Sequence, residues 1–203
     1  MGFELQKIIQ SLQNKDKNFS LLVKQIGEIS HEKRELNFEN LLKIIINQQL
    51  SIHSSNTIFQ RLKDAIPNSE LISPRIIINF ENKILRNIGI SYSKISFMKE
   101  TAKYFMEYPE AIEKWEKLND EDAKIEIQNL KGFGPWSANI ILLFYLGRND
   151  VFPYNDSTLQ KAYYKIYGKH LSPNLLELNW ARPYRSIIAR YFWKWVDNGM
   201  KEL

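Results

Sequence analysis

The stretch LKGFGPWSANIILLFYLG, residues 130–147, ends one helical pattern and starts another within a few positions. IEIQNL leads into it, Gly132-Phe133-Gly134 interrupts it, and Pro135 stands where a new helix would begin. Two glycines permit a sharp turn with positive φ. Proline suits a first helical position, because the N–H it lacks would have no partner there. The spacing predicts helix, tight hairpin, helix. At such a junction the N–H groups of Gly134 and its successors, Ser137 included, point outward from the positive end of a helix, where a phosphate group can dock. Lys131 adds charge. An ordinary helix–turn–helix connection has the same pattern, so the neighbouring segments must decide.

Working outward, apolar residues recur at helical spacing almost throughout. Phe38, Leu41, Leu42 and Ile45 form one stripe; Tyr184, Ile187, Ile188, Tyr191, Phe192, Trp195 and Val196 form a longer one. Strand-like alternation is scarce. Gly27, Pro67, Pro74, Gly89, Pro109, Gly168 and Pro173 punctuate the pattern, which predicts about ten short helices and an all-α fold. The chain has 203 residues, 44% of them hydrophobic, enough for a substantial core in one domain or two small ones. Its 28 Lys and Arg against 23 Asp and Glu give a net charge of +5, which favours a polyanionic partner without demanding one. With no cysteine, disulfides, thiolate zinc sites and iron–sulfur clusters are excluded, and His31, His53 and His170 are too scattered for a histidine metal site. No secretory signal pattern and no membrane-length apolar run occurs, so an intracellular protein is expected, in cytoplasm, nucleoid or nucleus.

The segment after the hairpin reads RNDVFPYNDSTLQKAYYKIYG. Asp156 precedes the helical pattern Leu159, Ala162, Tyr163 and Ile166, so Asp156 or Ser157 fits an N-cap. Asp156 also lies twenty residues after Trp136, a distance that one helix and a short return loop would span. A carboxylate at a helix N-terminus is stabilised by the helix dipole, as a group that must face positive charge requires. Capping and chemistry are compatible roles for it.

LKGFGPWSAN…DVFPYNDSTL, with NQQLS before it and YRSIIARYFWKW after it, resembles the 3-methyladenine DNA glycosylase II family of the helix-hairpin-helix glycosylases, over roughly Asp16 to Asp197. The resemblance implies an all-α protein with two helical subdomains flanking a cleft: a six-helix bundle over 36–149 ending in the hairpin, and 1–35 plus 150–203 carrying the catalytic Asp156. It implies excision of alkylated purines from duplex DNA by base flipping, in base excision repair. Trp136 stands where the endonuclease III and 8-oxoguanine glycosylase types carry a nucleophilic lysine. A water must then complete the cleavage, leaving an intact abasic site. The chemistry agrees, since an alkylated purine already carries positive charge and can leave without the second carboxylate that many glycosidases need.

By the same resemblance, Trp136 and Trp193 are walls of an aromatic pocket, and an indole facing a cationic purine gains stacking and cation–π attraction. Gln48 supplies a polar contact near the flipped base, Gln49 or Leu50 a wedge into the duplex, and Gly132, Phe133, Gly134 and Ser137 the DNA-binding hairpin. Backbone carbonyls of Gln128, Leu130 and Phe133 match those that hold a monovalent cation, Na+ or K+, in relatives; no other cofactor is expected. Ile140, where an aromatic can occur, and Asn155, where a second Asp can precede the catalytic one, depart from the family pattern and bear on substrate range. Arg182, Arg185 and Arg190, near the last helix, fit phosphate contacts or a solvated face equally. The expected partner is damaged duplex DNA, bound by a monomer. Another damaged base on the same scaffold, or a non-catalytic DNA-binding module, are the competing readings.

Overall fold

A computed structural model describes residues 3–66 and 71–203, so Pro67 lies outside the described residues. Among them there is no strand. The twelve α-helices are α1 (Phe3–Lys15), α2 (Lys17–Ile26), α3 (Phe38–Asn47), α4 (Ile52–Asp64), α5 (Pro74–Asn79), α6 (Asn82–Asn87), α7 (Tyr92–Glu107), α8 (Ala111–Lys117), α9 (Asp120–Gln128), α10 (Pro135–Ile140), α11 (Ser157–Tyr167) and α12 (Arg185–Asp197). A π turn, Ile141–Tyr145, prolongs α10, and a 3-10 turn, Leu176–Ala181, precedes α12.

Short polar residues start these helices. Asp16, Asn37, Ser51, Ser73, Ser91, Asn119 and Asp156 each accept a hydrogen bond from the N–H three residues on. Such a cap is worth about 1 kcal/mol. Gly168 ends α11 in the left-handed conformation, and Pro74 and Pro135 open α5 and α10.

The chain divides into two compact units, Glu35–Ala138 and Met1–Arg34 with Asn139–Leu203. In the first, α7 is the central element, packed by α3, α5 and α6. Its core contains Leu41, Leu42, Ile45, Leu62, Met98 and Trp115, each essentially inaccessible to water. Burying each large apolar side chain stabilises the fold by roughly 1.5–3 kcal/mol. The Trp115 ring meets Phe105 edge-on at 5.8 Å.

In the second unit α12 packs on α2 and α11, and α1 packs on α2. Phe19 meets Tyr191 edge-on at 5.3 Å. Residues 139–149, expected with the bundle, group here instead. Two main-chain oxygens of the π turn find partners within this unit. Arg190 donates to the Leu143 oxygen at 3.0 Å, and the Arg34 N–H to the Phe144 oxygen at 2.8 Å.

His31 lies between α2 and α3 with its Nε2 buried and without a hydrogen-bond partner. Burial, aided by the Arg190 charge, pushes its pKa from 6.5 down to about 4. The unfolded chain therefore takes up a proton that the folded chain refuses. The His31 contribution is complete above pH 6.5 and is lost as pH falls toward 4. Urea unfolding should give a loss of stability across that window that His31→Gln makes smaller.

Candidate functional site

After α9 the chain turns within four residues. The Leu130 N–H donates to the Ile127 oxygen at 3.1 Å and the Phe133 N–H to the Leu130 oxygen at 3.0 Å. Gly132 has φ +92°, and a β-carbon there would lie 2.4 Å from Phe97 Cγ, so no other residue fits without moving the ring. Phe133 is 2% exposed and anchors the turn in the core rather than facing out. The Gly134 oxygen accepts the Ala138 N–H at 3.0 Å and starts α10.

One expectation needs correcting. Only Gly132, not Gly134, has positive φ, and a β-carbon on Gly134 would meet nothing within 4 Å. Neither backbone conformation nor packing within the chain requires glycine at 134. Its bareness leaves the exposed start of α10 open to close approach from outside. Ser137 is 2% exposed, so its side chain faces inward and only its backbone belongs to the helix start.

The corner after α3 is tied to this hairpin. Gln48 Nε2 donates to the Gly132 oxygen at 2.7 Å and to Ser137 Oγ at 3.1 Å. Both amide hydrogens expected near a flipped base are thus used inside the protein. Gln49 then takes φ +56°, unusual for a residue with a side chain and costing on the order of 1–2 kcal/mol. Gln49 and Leu50 are exposed, Leu50 by 39%.

In the other unit, the segment leading to Asp156 is held from α12. Ser186 Oγ accepts the Val151 N–H at 2.9 Å and approaches the Arg148 and Val151 oxygens at 2.7 and 3.0 Å. Arg185 grips Asp150 with two parallel bonds, Nε to Oδ1 at 2.7 Å and Nη2 to Oδ2 at 2.9 Å, and Arg182 joins it at 3.2 Å. Arg182 and Arg185, two of the arginines read as phosphate ligands or a solvated face, therefore pair with Asp150, Arg182 with its side chain still 61% exposed. Asp150 and Ser186 carried no signal of their own in the sequence. Beyond this anchor the Asp156 N–H donates to the Pro153 oxygen at 2.9 Å, and Asp156 Oδ1 accepts the Leu159 N–H at 2.9 Å. The side chain is half-buried at the start of α11.

Trp136 is half-buried in the first turn of α10. Trp193 stacks on Phe144 at 5.5 Å, 29° from parallel. It borders a cavity of about 410 Å³ whose lining includes Glu32, Arg34, Phe144, Arg190 and Asp197 but not Asp156. Arg34 and Arg190 lie over the Phe144 ring at 4.8 and 4.4 Å, so the indole has two guanidinium groups as neighbours. Burial, helped by Arg34, lowers the Arg190 pKa to about 10. Among the described residues no group of three or more His, Cys, Asp or Glu could hold a metal ion, and no helix is long and apolar enough to cross a membrane.

Residues 42–179 match the family profile described as HhH-GPD superfamily base excision DNA repair protein. DNA-3-methyladenine glycosylase 1 of Schizosaccharomyces pombe is 30% identical over 188 residues, covering 88% of this chain and 82% of that protein. The alkylbase DNA glycosidase-like protein mag2 of the same organism is 27% identical over 198 residues, covering 93% and 91%. The solved structure of the S. pombe 3-methyladenine DNA glycosylase Mag1 in complex with abasic DNA superposes with a TM-score of 0.83 at 27% identity, covering 94% of this chain and 97% of that one. The chain belongs to the HhH-GPD superfamily of base excision DNA repair proteins.

Proposed function

We propose that the protein is a monofunctional DNA glycosylase that excises alkylated purines of the 3-methyladenine type from duplex DNA, with Asp156 as its catalytic carboxylate. The observation that carries this reading is the Asp156 carboxylate, fixed through Oδ1 at the start of α11, in a chain whose hairpin has Trp136 and no lysine at that position. The names of the S. pombe relatives support the substrate class.

In this mechanism the damaged nucleotide is flipped out of the stack, at a cost of a few kcal/mol that is least for an already weakened pair. The bond between C1′ and the purine nitrogen breaks, and its electron pair stays on the base, cancelling the positive charge that alkylation placed there. The sugar becomes an oxocarbenium ion, which the Asp156 carboxylate stabilises. A water oxygen then bonds to C1′ and releases a proton, leaving an abasic site in an unbroken strand. Trp136 and Trp193 each offer an indole that can stack on the base, Gln49 and Leu50 fill the gap it leaves, and the hairpin backbone from Gly132 to Ser137 holds phosphate.

The carbonyls of Gln128, Leu130 and Phe133 suit a monovalent cation such as Na+ or K+: those of Gln128 and Leu130 lie at the end of α9, where partial negative charge collects, and that of Phe133 lies in the turn that follows. The Leu130 oxygen accepts one hydrogen bond, from the Phe133 N–H, and keeps a second lone pair. Such an ion would link the hairpin to a phosphate electrostatically. The enzyme needs no other cofactor and acts as a monomer inside the cell.

Two tests follow. Because residue 134 has ordinary φ and open space around it, Gly134→Val should fold normally. It should nevertheless weaken binding to undamaged and damaged duplex alike, with affinity in both cases falling as salt rises. A loss confined to damaged DNA would remove the hairpin from the phosphate contact. Asp156→Asn keeps shape and loses charge, so base release should drop by on the order of 10²–10³ while binding to abasic DNA persists. Borohydride should trap no enzyme–DNA adduct with the native chain, since no amine attacks C1′. Near-normal release by folded Asp156→Asn, or efficient trapping, would contradict the mechanism.

A further inference from the structure

Besides Gln48, a second side chain holds the corner after α3, and it comes from α7. Lys94 Nζ donates to the Ile46 oxygen and to the Gln48 oxygen, both at 2.8 Å. These carbonyls belong to the last turn of α3 and its cap, where the helix dipole is negative and a cation is favoured. Lys94 is half-buried, and burial lowers its pKa from the usual lysine value. Desolvating an ammonium group is expensive, and here two carbonyl oxygens offset the cost.

Three residues further along α7, on the same face of the helix, Phe97 fills the space that makes glycine obligatory at 132. The Gln48 side chain closes the loop by donating to the Gly132 oxygen and to Ser137 Oγ. One face of α7 therefore supports both the exposed Gln49–Leu50 corner and the hairpin, and Gln48 joins the two. All three side chains are half-buried.

We propose that Lys94 and Gln48 are positioning residues that lock the Gln49–Leu50 wedge to the phosphate-binding hairpin, so that docking of the hairpin brings the wedge to the duplex already in its strained form. The inference rests on the glycosylase reading and assigns the coupling between its two DNA-contacting parts. Lys94 acts on the wedge through the two carbonyls it holds, and Gln48 through the hairpin it braces. Their effect falls on duplex opening, and not on general affinity or on bond cleavage.

The test compares Lys94→Met with the native chain on three duplexes: undamaged, carrying a methylated purine in a normal pair, and carrying the same purine in a mismatch. A fourth duplex has 2-aminopurine beside a stable abasic-site analogue, where fluorescence reports unstacking without any catalysis. Lys94→Met should bind undamaged duplex as the native chain does. It should give a weaker 2-aminopurine signal and slow single-turnover release from the normal pair by on the order of 10²-fold, as misplacement of a positioned group does. The mismatched substrate, already partly unstacked, should recover most of that rate. A native 2-aminopurine signal and rate overturn the proposal, and so does an equal loss on all duplexes. If Lys94→Met does not fold, Lys94→Gln keeps a polar head without the charge or reach of the ammonium group that holds both carbonyls, and is held to the same outcomes. A native chain that releases no base would refute the glycosylase reading, while the fluorescence comparison would still decide this one.

Discussion

A β-carbon on residue 132 would sit 2.4 Å from the Phe97 ring, well inside van der Waals contact. That close approach lets the chain reverse between α9 and α10 with φ +92° and puts the Gly132 oxygen where Gln48 can donate to it. Gly132→Ala would push the ring away, strain the backbone and release the Gln48 amide at once. The start of α10, the direction of the corner after α3 and the seat of Phe133 in the core all depend on this contact.

Charge is distributed in a way that composition conceals. The net charge of +5 suggests basic side chains free for a polyanion. Yet Arg185 and Arg182 are committed to Asp150, Arg190 to the Leu143 oxygen, and Lys94 to the end of α3. Several of the cations that looked available for DNA instead fix the frame around the candidate site. On the proposed reading, the first turn of α10 supplies much of the phosphate contact through backbone N–H groups, which stay polar at any pH and carry no side-chain entropy to lose.

The parts of this frame that rest on local chemistry were legible in the sequence. Gly132, Pro135 and Asp156 announce a turn, a helix start and a cap through backbone rules that operate over three or four residues. The all-helical fold follows from apolar spacing such as Phe38, Leu41, Leu42 and Ile45. What was not legible depends on pairs far apart in the chain. Gln48 meets Gly132 and Ser137 across 84 and 89 positions, a brace between corner and hairpin. Arg185 meets Asp150 across 35 positions, and Lys94 meets Ile46 across 48. No spacing rule reports such contacts. The two glycines of the hairpin look alike in sequence, and only the backbone geometry separates the one that must be glycine from the one that is merely bare. The π turn likewise has no local signature in the run IILLFYLG.

The central claim is that this chain releases an alkylated purine as a free base and leaves the strand whole. Duplex DNA methylated with a radiolabelled methyl donor, incubated with the native protein and separated by chromatography, tests it directly. The account predicts free labelled 3-methyladenine in the soluble fraction, with strands that break only after alkali. Label that stays wholly in the DNA would contradict it.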